Sequence, residues 1–454
     1  MRNKIRVLLH AMTFKRDFGF VYCLSRILDH LGCEVSVCSN TDYISLPMRL
    51  WKPDVVFYVT VGRTEQLRKN FPDAQLVLWN AESCRFDTYP SFELEIASDP
   101  AKYQYMGRVF LWGKETKRMI ADYAEKNNWK WITGDINAFD RKFVVVGHPR
   151  LDLAKYGTRK PVPGKDKIKI GIIGLCSGIN NGKFSVLEIL LDDKNADGNF
   201  SMSKEFCFQN KYLQLARKLI LDFGTDKYEY SLRPYFLENI PNYSSSELVK
   251  SGKLAIDDSI EFTSWLKNQD LIIGAVSTTM YLVAATGKPY ISVDYMLGRP
   301  LERIVFAEEY LSGILKHCPK TYEDFSLMVN NYKDFDLNFD SSPILKDQFI
   351  KFLSAKEDLP VLFLMSREII QIAIEHKREN GLPTKLCRAL NSLRTAYAEF
   401  RGLASNAGDY SHFRKSAIQI AELEFGKTID DICASIPHEQ KEALSGMMNA
   451  IGKS

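Results

Sequence analysis

The same pattern occurs in two successive parts of the chain. In each part, short apolar segments rich in β-branched residues alternate with segments of helical periodicity. The first run begins with IRVLLHAM (5–12), and an amphipathic segment at 18–31 follows and ends before Gly32. Further strands of this run are predicted at 34–39, 53–62, 74–81, 108–113 and 142–149. Strands that alternate with helices predict a parallel, doubly wound sheet.

A linker separates the two runs. Residues 154–167, AKYGTRKPVPGKDK, combine two prolines and two glycines with charged residues, which is typical of a linker. The second run starts with the buried strand and loop IKIGIIGLCSG (168–178) and continues through DLIIGA (270–275), TTMYLVAATG (278–287) and PYISVD (289–294). Two Rossmann-like halves predict a ligand cleft between them, because open α/β sheets bind ligands outside the carboxyl ends of their strands.

The strand signal disappears after about residue 345. Helices are predicted at 345–356, 360–379, 385–402, 412–425 and 436–451. The predicted fold class is therefore α/β, with two Rossmann-like domains and a helical C-terminal region. The predicted boundaries are 1–153 for the first domain, 154–167 for the linker, 168–344 for the second domain and 345–454 for the helical region.

Composition and charge exclude several classes of protein. The 454 residues are 45% hydrophobic and 26% charged, which excludes a largely disordered chain and a polytopic membrane protein. A net charge of +4 is too weak a bias for a nucleic-acid binder. The nine cysteines lack C-x-x-C spacing and a nearby histidine cluster, so we expect reduced thiols in the cytoplasm and neither a disulfide framework nor a zinc site.

Membrane association has one candidate segment in the sequence. The longest charge-free stretch, 271–287, is short for a bilayer span and carries hydroxyl residues, so no transmembrane helix is expected. Residues 376–401 hold six Lys or Arg against two Glu. This excess favours peripheral contact with an anionic surface at the inner face of the cytoplasmic membrane, or a lipid-linked acceptor. An exposed, solvated helix face is the alternative.

A candidate phosphate site follows the strand at 270–275. Ser277, Thr278 and Thr279 come directly after it, where a helix is predicted to begin. Free backbone N–H groups and hydroxyls at a helix N-terminus form a natural anion site. The alternative is that Ser277 and Thr278 only cap the helix.

The order of short motifs resembles a known family. The motifs are WNAES (79–83), W-G-x-E (112–115), GHPRLD (147–152), GLCSGINN (174–181), S-x-R-P (231–234) and the unit strand–STT–helix–GKP (270–294). Together they resemble bacterial surface-carbohydrate biosynthesis glycosyltransferases of GT-B fold, akin to the retaining Kdo transferases and the CDP-glycerol glycerophosphotransferases. UDP-N-acetylglucosamine 2-epimerases share parts of this architecture. The resemblance covers roughly residues 1–330.

The resemblance implies catalytic and binding roles. Asp152 would be the nucleophile and Glu82 the acid/base, a carboxylate pair that suits glycosyl transfer. The alternatives are a turn aspartate and a surface glutamate. Arg233, Asn180 and Asn181 would contact the donor, although Asn also serves turns and Arg is common on surfaces.

Substrate contacts are expected from the first domain. His148 and Arg150 lie in the GHPRLD stretch, and a structural histidine is the alternative for His148. Lys15 and Arg16, in the loop after the first strand, would face an anionic acceptor, or they are simply exposed basic residues.

The chain departs from the family pattern at one position. Where the family usually has R-P-H-P, this chain reads RPYF, and Tyr235 cannot carry a positive charge near neutral pH. This replacement keeps a catalytically degenerate binding or scaffold protein among the hypotheses.

The leading hypothesis is a metal-independent glycosyltransferase of surface-polysaccharide biosynthesis. It needs no cofactor, and its partners are a nucleotide-sugar donor and a glycan or lipid-linked acceptor. A nucleotide-sugar epimerase or a polyol-phosphate transferase on the same fold is the alternative enzyme.

Overall fold

The computed structural model describes most of the chain. The described residues are 4–38, 45–81, 91–156, 167–181, 184–185, 204–235, 237–299, 313–335, 337, 347, 351, 353, 358–376 and 415–451. Contacts divide the chain into two compact units: Met1–Gly157 with Ile350–Ser454 forms the first, and Thr158–Phe349 the second. The C-terminal stretch therefore joins the first unit. Residues 157–166 of the predicted linker lie outside the described residues. Residues 154–156 form the last turn of a helix, Arg150–Tyr156.

A parallel six-stranded sheet organises the first unit, in the order β2-β1-β3-β4-β5-β6. Its strands are β1 Arg6–His10, β2 Glu34–Cys38, β3 Val55–Tyr58, β4 Gln75–Trp79, β5 Met106–Leu111 and β6 Phe143–Val145. Val7 of β1 pairs with Val35 on one side and Val55 on the other. Every residue of β1 is buried, as expected for a central strand of a parallel sheet.

Helices connect these strands. They are α1 Gly19–His30, α2 Leu46–Trp51, α3 Thr64–Asn70, α4 Ser91–Ser98, α5 Pro100–Tyr105, α6 Lys114–Lys126, α7 Lys130–Thr133, α8 Ile136–Lys142 and α9 Arg150–Tyr156. A π-helical turn, Phe14–Phe18, precedes α1, and a 3-10 turn, Val61–Arg63, precedes α3. Chain order along the sheet reverses between β1 and β3, so the topological switch point of this unit lies at their carboxyl ends.

A five-stranded parallel sheet organises the second unit, in the order β11-β10-β7-β12-β13. Its strands are β7 Ile168–Ile173, β10 Tyr228–Arg233, β11 Ala255–Ile256, β12 Leu271–Gly274 and β13 Tyr290–Ser292, and β8 Asn180–Asn181 pairs separately with β9 Phe184–Ser185. The helices are α10 Lys204–Phe223, α11 Ile240–Tyr243, α12 Glu247–Lys250, α13 Phe262–Leu266, α14 Thr279–Ala285 and α15 Tyr322–Asn330. Chain order reverses between β7 and β12, which places this unit's switch point at their carboxyl ends.

Three helices near the C-terminus complete the first unit. They are α16 Val361–Glu375, α17 Lys415–Ser435 and α18 His438–Ile451. Helix α16 packs against α1 and strands β3 to β5, while α17 packs against α1 and α9. Buried Arg108 of β5 pairs with Glu368 and Glu375 of α16, at 3.7 and 3.3 Å. All but the first residue of the basic segment 376–401, and the helix predicted at 385–402, lie outside the described residues.

The predicted fold class, α/β with two Rossmann-like units and a helical C-terminal region, is confirmed. Seven cysteines lie in the described part of the chain outside any disulfide, and five of these are buried. Within the described part of the chain, no helix combines the length and the apolar character that a membrane crossing requires.

Candidate functional site

The switch point of the second unit is formed by the loops that follow β7 and β12. Gly174 follows β7, and its N–H donates to the carbonyl of Arg233 at 2.6 Å. A Cβ atom at Gly174 would lie 2.7 Å from that same carbonyl oxygen. The close backbone approach between residues 174 and 233 therefore requires glycine.

The predicted phosphate site, Ser277 to Thr279, lies in the loop after β12. All three residues are half-buried, and α14 begins at Thr279. The hydroxyls of Ser277 and Thr279 hydrogen-bond to each other, and Thr278 makes no side-chain capping bond. The capping alternative is therefore not seen at Thr278. Binding of a phosphate here stays a prediction.

A buried carboxylate holds this loop in place. Asp294 follows β13 and is fully buried. Its side chain accepts from the N–H of Val276 at 2.7 Å, the hydroxyl of Ser292 at 2.6 Å and the guanidinium of Arg299 at 3.1 Å. Burial raises the pKa of the Asp294 carboxyl, and these three donors counteract the rise. Sequence reasoning missed this residue, although the aspartate at the end of PYISVD was a visible signal.

A second buried carboxylate, Glu238, holds the loop after β7. It accepts from the N–H of Cys176 at 2.6 Å and from the hydroxyl of Tyr243. Burial raises the pKa of Glu238 to about 7. Nothing in the local sequence pattern marked this residue, because its partner lies 62 positions earlier in the chain.

Asn180 ties the same loop to the following segment. Its buried side-chain amide donates to the carbonyl of Asn239 at 3.1 Å and accepts from the amide of Asn242 at 2.8 Å. These bonds give Asn180 a structural role, and its predicted donor contact stays a prediction. Asn181 pairs with Phe184 between β8 and β9, and its side chain is not among the described parts.

Arg233 ends β10 at the same sheet edge and is 4% exposed. Its guanidinium pairs with Asp257, donates to the Ser259 hydroxyl at 3.0 Å, and reaches the carbonyl of Ile260 at 3.4 Å. The side chain therefore fastens the loop 257–260, and a phosphate contact would have to displace or share these partners. Tyr235, two residues further on, is 38% exposed.

Asp152, the predicted nucleophile, lies in α9 and is 4% exposed. Its two carboxylate oxygens accept from the N–H groups of Val361 at 3.0 Å and Leu362 at 2.7 Å, at the start of α16. Burial raises the pKa of this carboxyl to about 7, against the lowering effect of the two N–H donors and of Lys155. The observed role is structural, and the catalytic role stays a prediction.

His148 lies in an aromatic cluster that sequence reasoning did not foresee. Its ring meets Trp112 edge-to-face at 4.5 Å and Trp79 at 5.3 Å. Burial and the nearby charge of Arg150 lower its pKa well below the ordinary value, so the ring is neutral. Accordingly, Nδ1 accepts the N–H of Arg150 at 3.3 Å. Arg150 itself is half-buried and begins α9.

Lys15 and Arg16 lie in the π-helical turn at the first unit's switch point. Arg16 pairs with fully buried Asp17 at 2.9 Å, so its charge is already partly neutralised. Asp17 also accepts from the N–H of Thr13 at 3.1 Å, which fixes the turn. Lys15 is half-buried. Glu82, the predicted acid/base, lies outside the described residues.

The structure thus groups the predicted residues within each unit. Ser277 and Thr279 meet in the second unit, and the residues of the 148–152 stretch meet in the first. Among the described residues, no group of three or more His, Cys, Asp or Glu side chains is arranged to hold a metal ion.

Comparisons with known proteins identify the fold. No protein-family model matches the chain, and no curated protein matches it. Structures of the wall teichoic acid polymerase TagF are similar. A histidine-to-asparagine variant of TagF gives a TM-score of 0.53 at 10% identity, over 82% of this chain and 89% of that one. The same variant after a 15-minute CDPG soak gives 0.51 at 11% identity, over 83% and 90%. This similarity shows a GT-B-like two-unit fold.

A third similar structure is the complex of MnaA from S. aureus with UDP. It has 12% identity over 84% of this chain and 100% of that chain, with a TM-score of 0.47.

Proposed function

We propose that this chain is a GT-B-type glycosyltransferase of bacterial cell-surface polysaccharide biosynthesis. It would move a sugar from a nucleotide-sugar donor to a glycan or lipid-linked acceptor. The observation that carries the proposal is the similarity to TagF across 82% of the chain at a TM-score of 0.53.

The donor phosphate is proposed to bind at the second unit's switch point, beside Ser277 and Thr279. Two observations support this position. The switch point of an open α/β sheet is where ligands bind, and both loops that form it are held by buried carboxylates. A loop held in one conformation loses less entropy when a ligand binds.

The acceptor is proposed to contact the first unit near Lys15 and Arg16. Both residues follow β1 at that unit's switch point, and Asp17 and Thr13 hold their turn in shape. In this proposal Glu82 remains the acid/base predicted from the family motif. Asp152 could act as nucleophile only after releasing its two hydrogen bonds to α16, so its turnover role needs a direct test.

A polyol-phosphate transferase is the second candidate. It is favoured by the fold similarity to a wall teichoic acid polymerase whose structure includes a CDPG soak. The products discriminate between the two enzymes, because a glycosyltransferase forms a glycoside and a polyol-phosphate transferase forms a phosphodiester. A binding or scaffold protein is the third candidate, favoured by the structural engagement of Arg233 and Asp152.

The first experiment is a thermal-shift screen of the full chain against CMP, CDP, UDP, GDP, their sugars and CDP-glycerol. A ligand at 100 times its dissociation constant should add about 2.7 kcal/mol of stability. Product analysis with the best nucleotide then separates glycoside from phosphodiester. Stabilisation without turnover for every tested acceptor would favour the scaffold candidate, and no stabilisation by any nucleotide would contradict the donor site.

A pair of variants tests the phosphate position. Thr279→Val removes a hydroxyl at the start of α14, and Thr286→Val removes one at its other end, where Thr286 only donates to the carbonyl of Val283. A hydrogen bond to a charged phosphate contributes about 1.5–3 kcal/mol. Thr279→Val should therefore weaken nucleotide binding at least tenfold, while Thr286→Val leaves it unchanged. Equal affinities in titration calorimetry would remove Thr279 from the donor site.

A further inference from the structure

Three aromatic side chains form a row on the surface of the first unit. Tyr123, at the end of α6, lies 5.5 Å from Trp129 between ring centroids. Trp129 stacks on Trp131 at 6.3 Å with ring planes 16° apart. Tyr123 and Trp131 are each 37% exposed, whereas Trp129 packs against the core of the unit. We call these three residues the aromatic row.

Hydrogen bonds anchor two residues of the aromatic row. The indole N–H of Trp131 donates to the carbonyl of Ala97 at 2.9 Å, which fixes the orientation of the ring. Trp129 is held by its backbone N–H, which bonds the carbonyl of Ala124 at 3.0 Å. An exposed indole whose polar atom is already satisfied presents a preorganised apolar face, which lowers the entropy cost of binding a partner.

The aromatic row lies away from the candidate site. Helix α6 begins after the carboxyl end of β5 and returns antiparallel to the strands. Its 13 residues span about 20 Å, so its last turn is near the opposite edge of the sheet from the switch point. The row is therefore separate from Lys15, Arg16 and the 148–152 stretch.

The chain segment that carries the row has no excess of basic residues. Residues 122–142 contain four acidic and four basic side chains, which is a net charge of zero. An anionic lipid surface or a nucleic acid attracts a basic excess, which this segment lacks. The same segment exposes the amides of Asn127, Asn128 and Asn137, which can donate and accept hydrogen bonds, and the amide of Asn127 already donates to the carbonyl of Tyr123 at 2.7 Å.

We propose that the aromatic row binds a neutral oligosaccharide by stacking on its pyranose rings. The C–H groups on one face of a pyranose are weakly positive and pack on the negative face of an aromatic ring, while its hydroxyls reach flanking amides. The two exposed rings, Tyr123 and Trp131, would contact the sugars, while Trp129, which lies against both rings and against the core, supports them. This site is independent of the proposed donor site, and it would hold a glycan at a distance from the point of transfer.

The test is a titration of the full chain with maltohexaose, cellohexaose and chitohexaose, without nucleotide, followed by calorimetry and tryptophan fluorescence. At least one hexasaccharide should bind. Trp131→Ala and Tyr123→Ala should each weaken binding about tenfold, and Trp131→Phe should retain part of it. Phe335→Ala is the matched control, because Phe335 is equally exposed at 37% but lies in the second unit.

Three results would overturn the proposal: no binding of any hexasaccharide, unchanged binding in both alanine variants, or row-dependent binding to phosphatidylglycerol vesicles in place of sugars. Circular dichroism of each variant confirms that it is folded. Because the titration contains no nucleotide, a failed donor site would not alter its outcome. The two proposals can therefore fail separately.

Discussion

Replacing Asp152 by asparagine should make the stability of the first unit much less dependent on pH. In the folded chain burial raises the pKa of this carboxyl to about 7, well above its ordinary value. Between those two pKa values the folded state binds more protons at this site than the unfolded state does. Stability contributed by the site is therefore fully present below about pH 4, falls as pH rises, and levels off above about pH 7.

The magnitude follows from linkage. Between the unfolded and folded pKa values, the free energy of unfolding falls by about 1.4 kcal/mol per pH unit. From pH 4 to pH 7 the wild type should therefore lose about 4 kcal/mol of unfolding free energy relative to Asp152→Asn. Asparagine keeps one oxygen that accepts from α16 and leaves the second N–H group of α16 without an acceptor. This lowers the free energy of unfolding by an amount that does not change with pH. Asp152→Ala leaves both N–H groups of Val361 and Leu362 unpaired and should cost about 2–4 kcal/mol.

The assay is urea unfolding followed by tryptophan fluorescence at half-unit steps of pH. Five of the six tryptophans lie in the first unit, so the signal reports mainly on it. Subtracting the unfolding free energy of the asparagine variant from that of the wild type at each pH removes the contribution of all other titrating groups. A stability difference that grows in favour of wild type as pH rises would refute the reasoning, because it would mean that the helix N-terminus keeps the carboxylate ionised. Turnover of the folded variant tests its predicted catalytic role.

Three further variants probe the second unit. Gly174→Ala should lower the free energy of unfolding, measured by thermal denaturation, by about 1–3 kcal/mol, because the new Cβ atom would lie 2.7 Å from backbone atoms. Gly62→Ala is the control: its new Cβ atom would have no neighbour within 4 Å, so the free energy of unfolding should hardly change. Arg233→Met removes the cationic partner of the partly buried Asp257 carboxylate, which keeps its hydrogen bond from the Ser259 hydroxyl, and should lower the free energy of unfolding by about 3 kcal/mol. An unchanged free energy of unfolding would deny the ion pair a structural role. Tyr243→Phe removes a hydrogen-bond donor to Glu238 and so raises the pKa of that carboxyl in the folded state further. The variant should lose about 1–2 kcal/mol of unfolding free energy, and it should lose more at pH 8 than at pH 6, because the carboxyl is then ionised without this donor.

The main strands of both sheets and the longer helices were predictable because their signals are local, whereas most of the short connecting helices were not predicted. The run 5–12 contains β1, Arg6–His10, and the segment 18–31 contains α1, Gly19–His30. Boundaries set by packing were less predictable. The helix predicted at 412–425 extends to Ser435, because Ile429 and Ile432 beyond Gly426 are buried.

The candidate site was only partly predictable, since its contacts join distant positions. Asp152 was identified as important by its motif, but its partners in α16 lie 209 and 210 residues further on. No periodicity or spacing reports such a pair. The neutral state of His148 likewise depends on burial among Trp79 and Trp112, which come from two other strands' ends. Local motifs located the sheet edges, and tertiary packing decided what each side chain does there.

The discontinuous first unit has a consequence for biosynthesis. Its sheet is translated before the second unit, whereas α16, α17 and α18 are translated after it. Helix α16 covers α1 and strands β3 to β5, α17 packs against α1, and α18 packs against α16. The second unit is one continuous stretch, Thr158–Phe349, and all of it emerges before α16. Domains usually fold in order of synthesis from the N-terminus. Here the nascent chain carries α1 without its covering helices through the translation of the whole second unit, so the sheet of the first unit is made before the second unit but is covered after it.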